Sequence, residues 1–507
     1  NEYTLPSLFS GRDSIVRNNN PRMQRPTAYN QTNLTSRVRY KPSPQLEINL
    51  GGQFSGTSAV PRYDRLIVYR KDKLRYGDWH YGPQEWTLVN GSIDYHPANP
   101  LFDKVRIIPA YQYYAESRHD RSIDDPLLFN RKEKLHIYTL SVDFHKELLP
   151  AIRFSFGTEG TFNKVISRGW STHLLTGETL ASAPRYPALS HYASVAGYLS
   201  GHWEALPELS LEGGIRGTLT HTDGEFSPES GFPESSFSQT NRAVNGSLGT
   251  VWRPFPEWLF RALASTGFRA PNIDDMAKVF DSEPGNVIVP NPTLKPEYAR
   301  NLEAGLAWIK ENKVRMEATF FLTDLKGAMV RRPFLFNGRD SIPYNGTMSR
   351  VEALVNADGA ILAGATFSAG YYFTPLLRTT HSLTAMTGHD SDGYPLRHIP
   401  PLYGSSALCY DRKPWFAEIN LRYNGKIPYS RLAPDERDKP YLYLPDKQGN
   451  PYSPAWMTIS LFAAYDFTPA IQLSAGIENL TNRRYRPYSS GIAAPGTSLV
   501  ISLSGKI

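Results

Sequence analysis

The side chains that could do chemistry in this chain are histidines, arginines and tyrosines at wide spacing, with no compact catalytic set among them. No Gly-x-Ser-x-Gly elbow and no His-Glu-x-x-His pair occurs, so neither acyl transfer through serine nor zinc-assisted hydrolysis has its usual frame. Cys409 is the one cysteine, which excludes an internal disulfide and any Cys-x-x-Cys metal site. "HDSDGY" at 389–394 begins like a calcium loop, but "PLRHIPP" follows where the remaining oxygen ligands and the closing Glu belong. No catalytic residue and no bound metal are therefore expected. Ligand contact remains. His80, His119, His173, His221 and His389 fall in stretches expected to be connecting loops, and imidazole suits iron. "PRYDRL" (61–66) and "LRYGDWHYGPQEW" (74–86) concentrate Arg62, Tyr63, Arg65, Arg75, Tyr76, Trp79 and Tyr81. Arginine and aromatic rings favour contacts with proteins and planar ligands. An aromatic girdle at a membrane interface would use the same types, and both readings stand.

The elements that position these residues follow from composition and period. In 507 residues there are 38 Gly, 40 Pro and 12% aromatics, with only 20% charged, a mix that fits strands and turns better than packed helices. The net charge of +7 comes without a run of basic residues, so nucleic-acid binding has no support. No apolar stretch reaches the ~18 residues of a membrane helix, and "NEYTLPSLFS" lacks the parts of a signal peptide. Neither absence implies solubility, because half of every strand in a membrane barrel is polar.

Period two is the decisive signal. Leu209, Leu211, Ile215 and Leu219 alternate with Ser210, Glu212, Arg216, Thr218 and Thr220. Val314, Met316, Ala318, Phe320 and Leu322 alternate with Arg315, Glu317 and Thr319, and the pattern recurs over 417–424 and 471–478. These are strands with one apolar and one wet face. Nine short, mostly Pro-marked turns, among them "KPSPQ" (41–45), "RPFPEW" (253–258) and "DRKP" (411–414), alternate with long polar loops such as 222–241, 269–294, 326–347 and 427–453. A sandwich has no reason to sort its connections by length, whereas a membrane barrel has short turns on one side and long loops on the other. The prediction is an all-β chain forming a transmembrane antiparallel β-barrel. Nine turns join eighteen strands and "TSLVISLSGKI" adds a nineteenth, against about 22 in plugged transporters. Residues 1–30 then read as an extracellular loop, with the first strands and a plug expected ahead of them. Glu212, Arg216, Arg315, Glu317, Glu418 and Arg422 read as a hydrated, charge-paired interior.

"GFRAPN" (267–272) ends one alternating stretch, "NPTLKPE" (291–297) opens the next, and "ENLTNRRYRPYSSGIAAPGTSLVISL" (478–503) closes the chain. Together they resemble the paired barrel motifs and the ending of TonB-dependent outer-membrane receptors. "PRYDRL", "LRYGDWHYGPQEW", "AESRHDR" (115–121) and "LRHIPPLYG" (396–404) are similar to that family's haemoglobin, transferrin and haem-receptor branch. The resemblance covers essentially the whole chain and places Phe268, Arg269, Ala270, Pro271, Asn291, Pro292 and Leu294 in the motifs. Read physically, Pro271 cannot donate to a ladder and marks the rim. Arg269 either places a charge at the mouth or belongs to the strand's termination. The resemblance implies an importer in the outer membrane of a Gram-negative bacterium, surrounded by outer-membrane lipid and driven by TonB through an N-terminal plug segment. It implies no intrinsic cofactor and an iron-bearing cargo, with haem or haem from an extracellular haem protein first. A ferric siderophore or cobalamin comes next, and docking of a surface lipoprotein is a further alternative. The branch often has an axial histidine between the two motifs, and "NIDDMAKVFDSEPGNVIVP" contains none. Tyr298 could ligate iron as a phenolate or serve as a rim aromatic.

Overall fold

The computed structural model describes residues 2–506 apart from 6–8, 21, 71, 231–235, 284, 312, 345, 346, 438, 440 and 441. Its frame is a barrel-shaped antiparallel sheet. The first strands are β1 (Gln31–Ser43), β2 (Leu46–Thr57), β3 (Glu85–Tyr95), β4 (Lys104–Ser122), β5 (Leu127–Leu149) and β6 (Ile152–His173). They continue as β7 (Leu189–Leu206), β8 (Leu209–Glu225), β9 (Ser236–Phe255), β10 (Trp258–Arg269), β11 (Glu297–Lys310) and β12 (Val314–Lys326). The last are β13 (Gly359–Thr374), β14 (Leu377–Asp390), β15 (Tyr403–Arg412), β16 (Trp415–Asn424), β17 (Trp456–Thr468), β18 (Ile471–Glu478) and β19 (Ser498–Gly505). Each pairs antiparallel with its chain neighbours, from β1 on β2 to β18 on β19. No register links β19 back to β1 among the described residues, and these two strands are exposed over nearly their whole length.

The nineteen strands and nine short turns agree with the sequence pattern. In two of the turns, Thr374 and Thr468 begin a Thr-Pro pair, and each hydroxyl accepts the N–H groups two and three residues on, at 3.0–3.2 Å. The proline presets the φ that such a turn requires.

The alternation faces the way a lipid environment demands. Ile215, Leu219, Val244 and Leu248 are exposed, Val244 by 72%, while their polar neighbours point into the barrel. There, ion pairs such as Arg106–Asp94, Arg216–Glu159 and Arg261–Glu317 cross the interior wall. In a water-soluble sandwich those apolar side chains would form the core.

The strands run longer than a ~10-residue membrane crossing needs; β5 has 23 residues and β6 has 22. This corrects several expectations. Half of the loop 222–241 is strand, since β8 reaches Glu225 and β9 begins at Ser236. The connections 269–294 and 326–347 are not plain polar loops. With the residues that follow them to Asn356, they build a five-stranded sheet from Phe280–Glu283, Asn286–Ile288, Met329–Pro333, Ser341–Tyr344 and Thr347–Asn356. Val287, Val289, Val351 and Ala353 form its buried core. Each contributing segment is too short for its period to be read from sequence. At the same end of the barrel, Glu2–Thr4 pairs with Ile15–Arg17. Tyr3 buries against Leu66, in the helical turn α1 (Tyr63–Leu66), and against Tyr76. Asp13 accepts from the buried Arg121 guanidinium of β4 at 2.9 Å.

A test of the facing follows. Ile215→Lys, in the middle of the lipid-facing row, is expected to cost about 2–4 kcal/mol in urea titrations of the full-length protein refolded in lipid vesicles. Thr218→Lys on the interior face is expected to change stability by less than about 1 kcal/mol. Equal costs at the two sites would contradict the facing described here.

Candidate functional site

A cavity of about 900 Å3 opens on the barrel interior along β4–β10. It is roofed by the start of the 270–296 connection, including the short helix α2 (Ile273–Ala277). Above the last β9–β10 pair, Ser247 with Ser265, the two strands part. There the Thr266 hydroxyl accepts the Gly246 N–H at 2.9 Å in place of a ladder bond, and the cavity reaches into this parting at Asn245, Thr266 and Phe268.

Its walls combine aromatic rings with charge. Tyr114 donates to Glu116 at 3.0 Å. Arg185 bridges Glu116 at 3.3 Å and Asp274 at 3.6 Å. Tyr186 donates to Asp274, which also takes Lys278 at 3.0 Å. Burial raises the Asp274 carboxyl, but Lys278, the Tyr186 hydroxyl and Arg185 outweigh it and hold it below the usual range. Burial, with Asp274 beside it, pushes the Tyr186 phenol well above its ordinary value, so it stays protonated as a donor. Glu133 is 1% exposed. One of its oxygens accepts from Ser167 at 3.2 Å and the other has no protein partner. A buried carboxylate oxygen left open beside a cavity favours a ligand that brings a donor or a cation. Among the described residues, no histidine lines this cavity.

The two motifs meet at its rim. Arg269 and Glu297 are paired across β10 and β11, and the Arg269 guanidinium binds Glu297 at 2.9 Å and both oxygens of Asp275 at 2.7 Å. Asp275 also closes a capping box with Asn272 at the start of α2, satisfying N–H groups the helix leaves open. Phe268 and Ala270 line the cavity, and the ladder stops at Arg269, two residues before Pro271. In the second motif, Asn291 donates to the Leu354 carbonyl at 2.8 Å and accepts from Thr293, its side chain tying the two long connections together. Pro292 follows it, and Leu294 is buried against Ile273 and Met276. The Arg269 charge is neutralised by two carboxylates, so its place is in the strand's termination and the anchoring of α2. The Phe268 and Tyr298 rings pack together across β10 and β11, and Tyr298 shares the outward face of exposed Leu302.

The remaining candidates divide between the two faces of one ladder. The strand Tyr76–Tyr81 pairs with the top of β4. On the inner face, Arg62 lies over Trp79 and Tyr81 at 5.4 and 5.3 Å and donates to the Tyr81 hydroxyl at 2.9 Å, while Asp64 holds its other nitrogens at 2.7 Å. Arg118 also lies over the Tyr81 ring, at 5.2 Å. This is not a lipid-facing girdle, because Arg118 shares its face with the cavity residues Tyr114 and Glu116. On the outer face, His80 and His119 stack with centroids 4.6 Å apart. His119 is held by Ser117 at 2.9 Å and Asn130 at 2.6 Å, and His80 by Asp78 at 3.0 Å. The five histidines expected on loops are thus corrected to strands: His80 and His119 as above, His173 ending β6, His221 in β8 and His389 in β14. The strands outrun the membrane and carry them upward. His173, His221 and His389 do not meet the others, and Tyr63 turns away to pack on Tyr3. In "HDSDGY", Asp390 accepts the N–H groups of Asp392 and Tyr394 and pairs with Arg332 at 2.6 Å, which is a turn and not a metal loop. Sequence reasoning missed Arg118, Glu133, Arg185, Tyr186 and Tyr192. The inward alternation Tyr114, Glu116, Arg118 in β4 was the available signal for the first of them.

Arg269→Ala should leave the β10–β11 ladder in place but free α2 and the second motif. Amide exchange over 272–277 and 291–294 in the full-length protein is expected to quicken about tenfold. Unchanged exchange there would remove the anchoring role.

Residues 7–480 match the family described as TonB dependent receptor-like, beta-barrel. Over 278 residues, half of this chain, it is 25% identical to the "Probable hemoglobin and hemoglobin-haptoglobin-binding protein 4" of Haemophilus influenzae. It is 23% identical over 47% of its length to that organism's "Hemoglobin-binding protein A". The matched stretches span only 26% and 24% of those relatives' own lengths. Among solved structures, the "Copper transporter OprC" superposes over 99% of this chain and 74% of its own with a TM-score of 0.75 at 16% identity, a likeness of fold. With the family matched over most of its length and the barrel built as above, the chain belongs to the β-barrel family of TonB-dependent receptors.

Proposed function

We propose that this barrel recognises and imports an iron-bearing ligand, with haem, free or delivered by a haem protein, as the cargo. The observation that carries this reading is the similarity, over half the chain, to proteins named for binding haemoglobin. The geometry is compatible. The Arg62–Trp79–Tyr81–Arg118 stack offers the rigid aromatic and guanidinium anchors that protein and planar-ligand contacts use, and it adjoins a cavity large enough for such a ligand. Both ring nitrogens of His119 are engaged, by Ser117 and Asn130, so ligating iron through it would break one of those bonds, whereas His80 is held by Asp78 through Nδ1 alone, which leaves its Nε2 for a ligand. In this reading the chain is the barrel portion of a longer receptor, with a plug and a TonB-engaging segment coupling it to energy. The ladderless edges of β1 and β19 support the presence of further strands between them.

The purified full-length protein is expected to shift the Soret band of added haem. No shift together with no binding of haemoglobin would sink the cargo. Trp79→Ala with Tyr81→Ala is expected to weaken binding of the haem protein about tenfold or more, and unchanged affinity would remove that face from the site. A ferric chelate is the second reading, favoured by the histidine-free cavity, because a chelate supplies its own iron ligands. Quenching of tryptophan fluorescence by a ferric siderophore, without any Soret response to haem, would select it.

A further inference from the structure

The barrel wall has a break beside the cavity. β9 stays on β8 as far as Ser236 and β10 stays on β11 as far as Arg269, but Ser247–Ser265 is the last pair that joins β9 to β10. Alternation from the outward pair Leu248–Ala264 points Thr266 and Phe268 out of the barrel. Both nevertheless line the interior cavity, together with Asn245 and Arg216, which pair with one another on the inner face. A cavity lined by both faces of one sheet passes through that sheet.

The break opens at the top of the lipid-facing rows. Val244, the chain neighbour of Asn245, is exposed and is the last apolar residue of its outward row, with Arg242 above it. The Thr266 hydroxyl accepts the Gly246 N–H at 2.9 Å and donates to the Gly246 C=O at 3.4 Å. Main-chain groups alternate in direction along a strand, so those of Val244 aim into the same break. Among the described residues nothing takes them there. Unpaired backbone at membrane depth is tolerated where it borders a wet cavity, and here the cavity reaches it.

The two sides of the break differ in chemistry. Inside stand the polar side chains of Arg216, Thr218, Thr220 and Asn245. Outside, just below Thr266, the small Ala264 lies between its partners Leu248 on β9 and Leu302 on β11. Both leucines are exposed, so the three residues form an apolar trough one residue wide that leads up to the break.

We propose that the break is a side mouth through which a single-chain amphiphile passes between the outer leaflet and the cavity. Its polar head lies among Arg216 and Asn245, and its apolar chain lies in the trough. This rests on the reading of the chain as an outer-membrane barrel but not on its cargo. A polar head supplies hydrogen bonds that the Val244 main chain lacks, which is where a buried donor or acceptor gains most. A chain lying on Leu248, Ala264 and Leu302 stays out of water throughout.

The test places full-length protein in lipid bilayers that contain palmitic acid with a diazirine beside its carboxyl group. After illumination, tandem mass spectrometry is expected to find the probe on the inward residues Thr218, Thr220 and Asn245. A phosphatidylcholine with its diazirine at the same chain position is expected to mark only outward residues such as Leu219 and Leu248. Val244→Cys with Phe268→Cys, where the register would next bring outward side chains together above Gly246 and Thr266, closes the break when oxidised on a Cys409→Ala background. It is expected to lower inward labelling by palmitic acid about tenfold or more, to leave Leu219 labelled as before, and to regain inward labelling on reduction. If the pair does not oxidise, a short bis-maleimide linker bridges it with the same expectation. Inward labelling that persists after bridging, none in the unchanged protein, or equal inward labelling by the phospholipid would overturn the proposal. The Soret response to haem and haemoglobin binding are measured on the same samples. Inward labelling without either would sink only the cargo reading, and the reverse would sink only this one.

Discussion

In hydrocarbon no water can satisfy a backbone N–H or C=O, so a strand crossing a membrane must find a ladder partner in its neighbours. Every other feature of this molecule hangs on that constraint. It forces consecutive strands into one antiparallel sheet and sends alternate side chains to lipid and to the interior. It also confines irregular backbone to the height where pairing is no longer compulsory. Charged side chains such as Arg216 with Glu159 and Arg261 with Glu317 pair across the interior wall, while the exposed outer rows are apolar.

The candidate site lies where the constraint relaxes. β9 and β10 part above Ser247 and Ser265, with the Thr266 hydroxyl standing in for the missing ladder bond. From there the chain leaves the sheet under the control of one guanidinium, Arg269, which binds the next strand through Glu297 and the first helical turn through Asp275. The motif is thus a joint between a rigid wall and the connection that roofs the cavity. That connection and its neighbour are held together by Asn291 and Leu294. Rigid strands carrying adaptable connections are a common arrangement for recognition.

The barrel was legible because its signal is repeated. Period two in one strand is weak evidence, but nineteen strands with short and long connections in strict alternation leave one architecture. The ends of strands were not legible. Above the membrane the apolar rows stop, the alternation fades into polar residues such as Lys132, Lys134 and His191, and ladder continues where sequence suggests loop. For that reason the five histidines were expected on loops and are found on strands, and His80 meets His119 only because their strands pair in that register.

What the sequence by itself determined is therefore local and periodic: strand number, facing, the inside turns with their prolines, and the rim marked by Pro271. Those properties depend on residues adjacent along the chain. Tertiary structure decided everything that depends on register between strands far apart in sequence. It placed Arg118 over Tyr81, Arg185 between Glu116 and Asp274, and Glu133 in a buried position with one open oxygen. A one-residue slip would exchange the two faces of the Tyr76–Tyr81 ladder, and no local pattern in that short strand excludes such a slip. Packing against α1 and the top of β4 does.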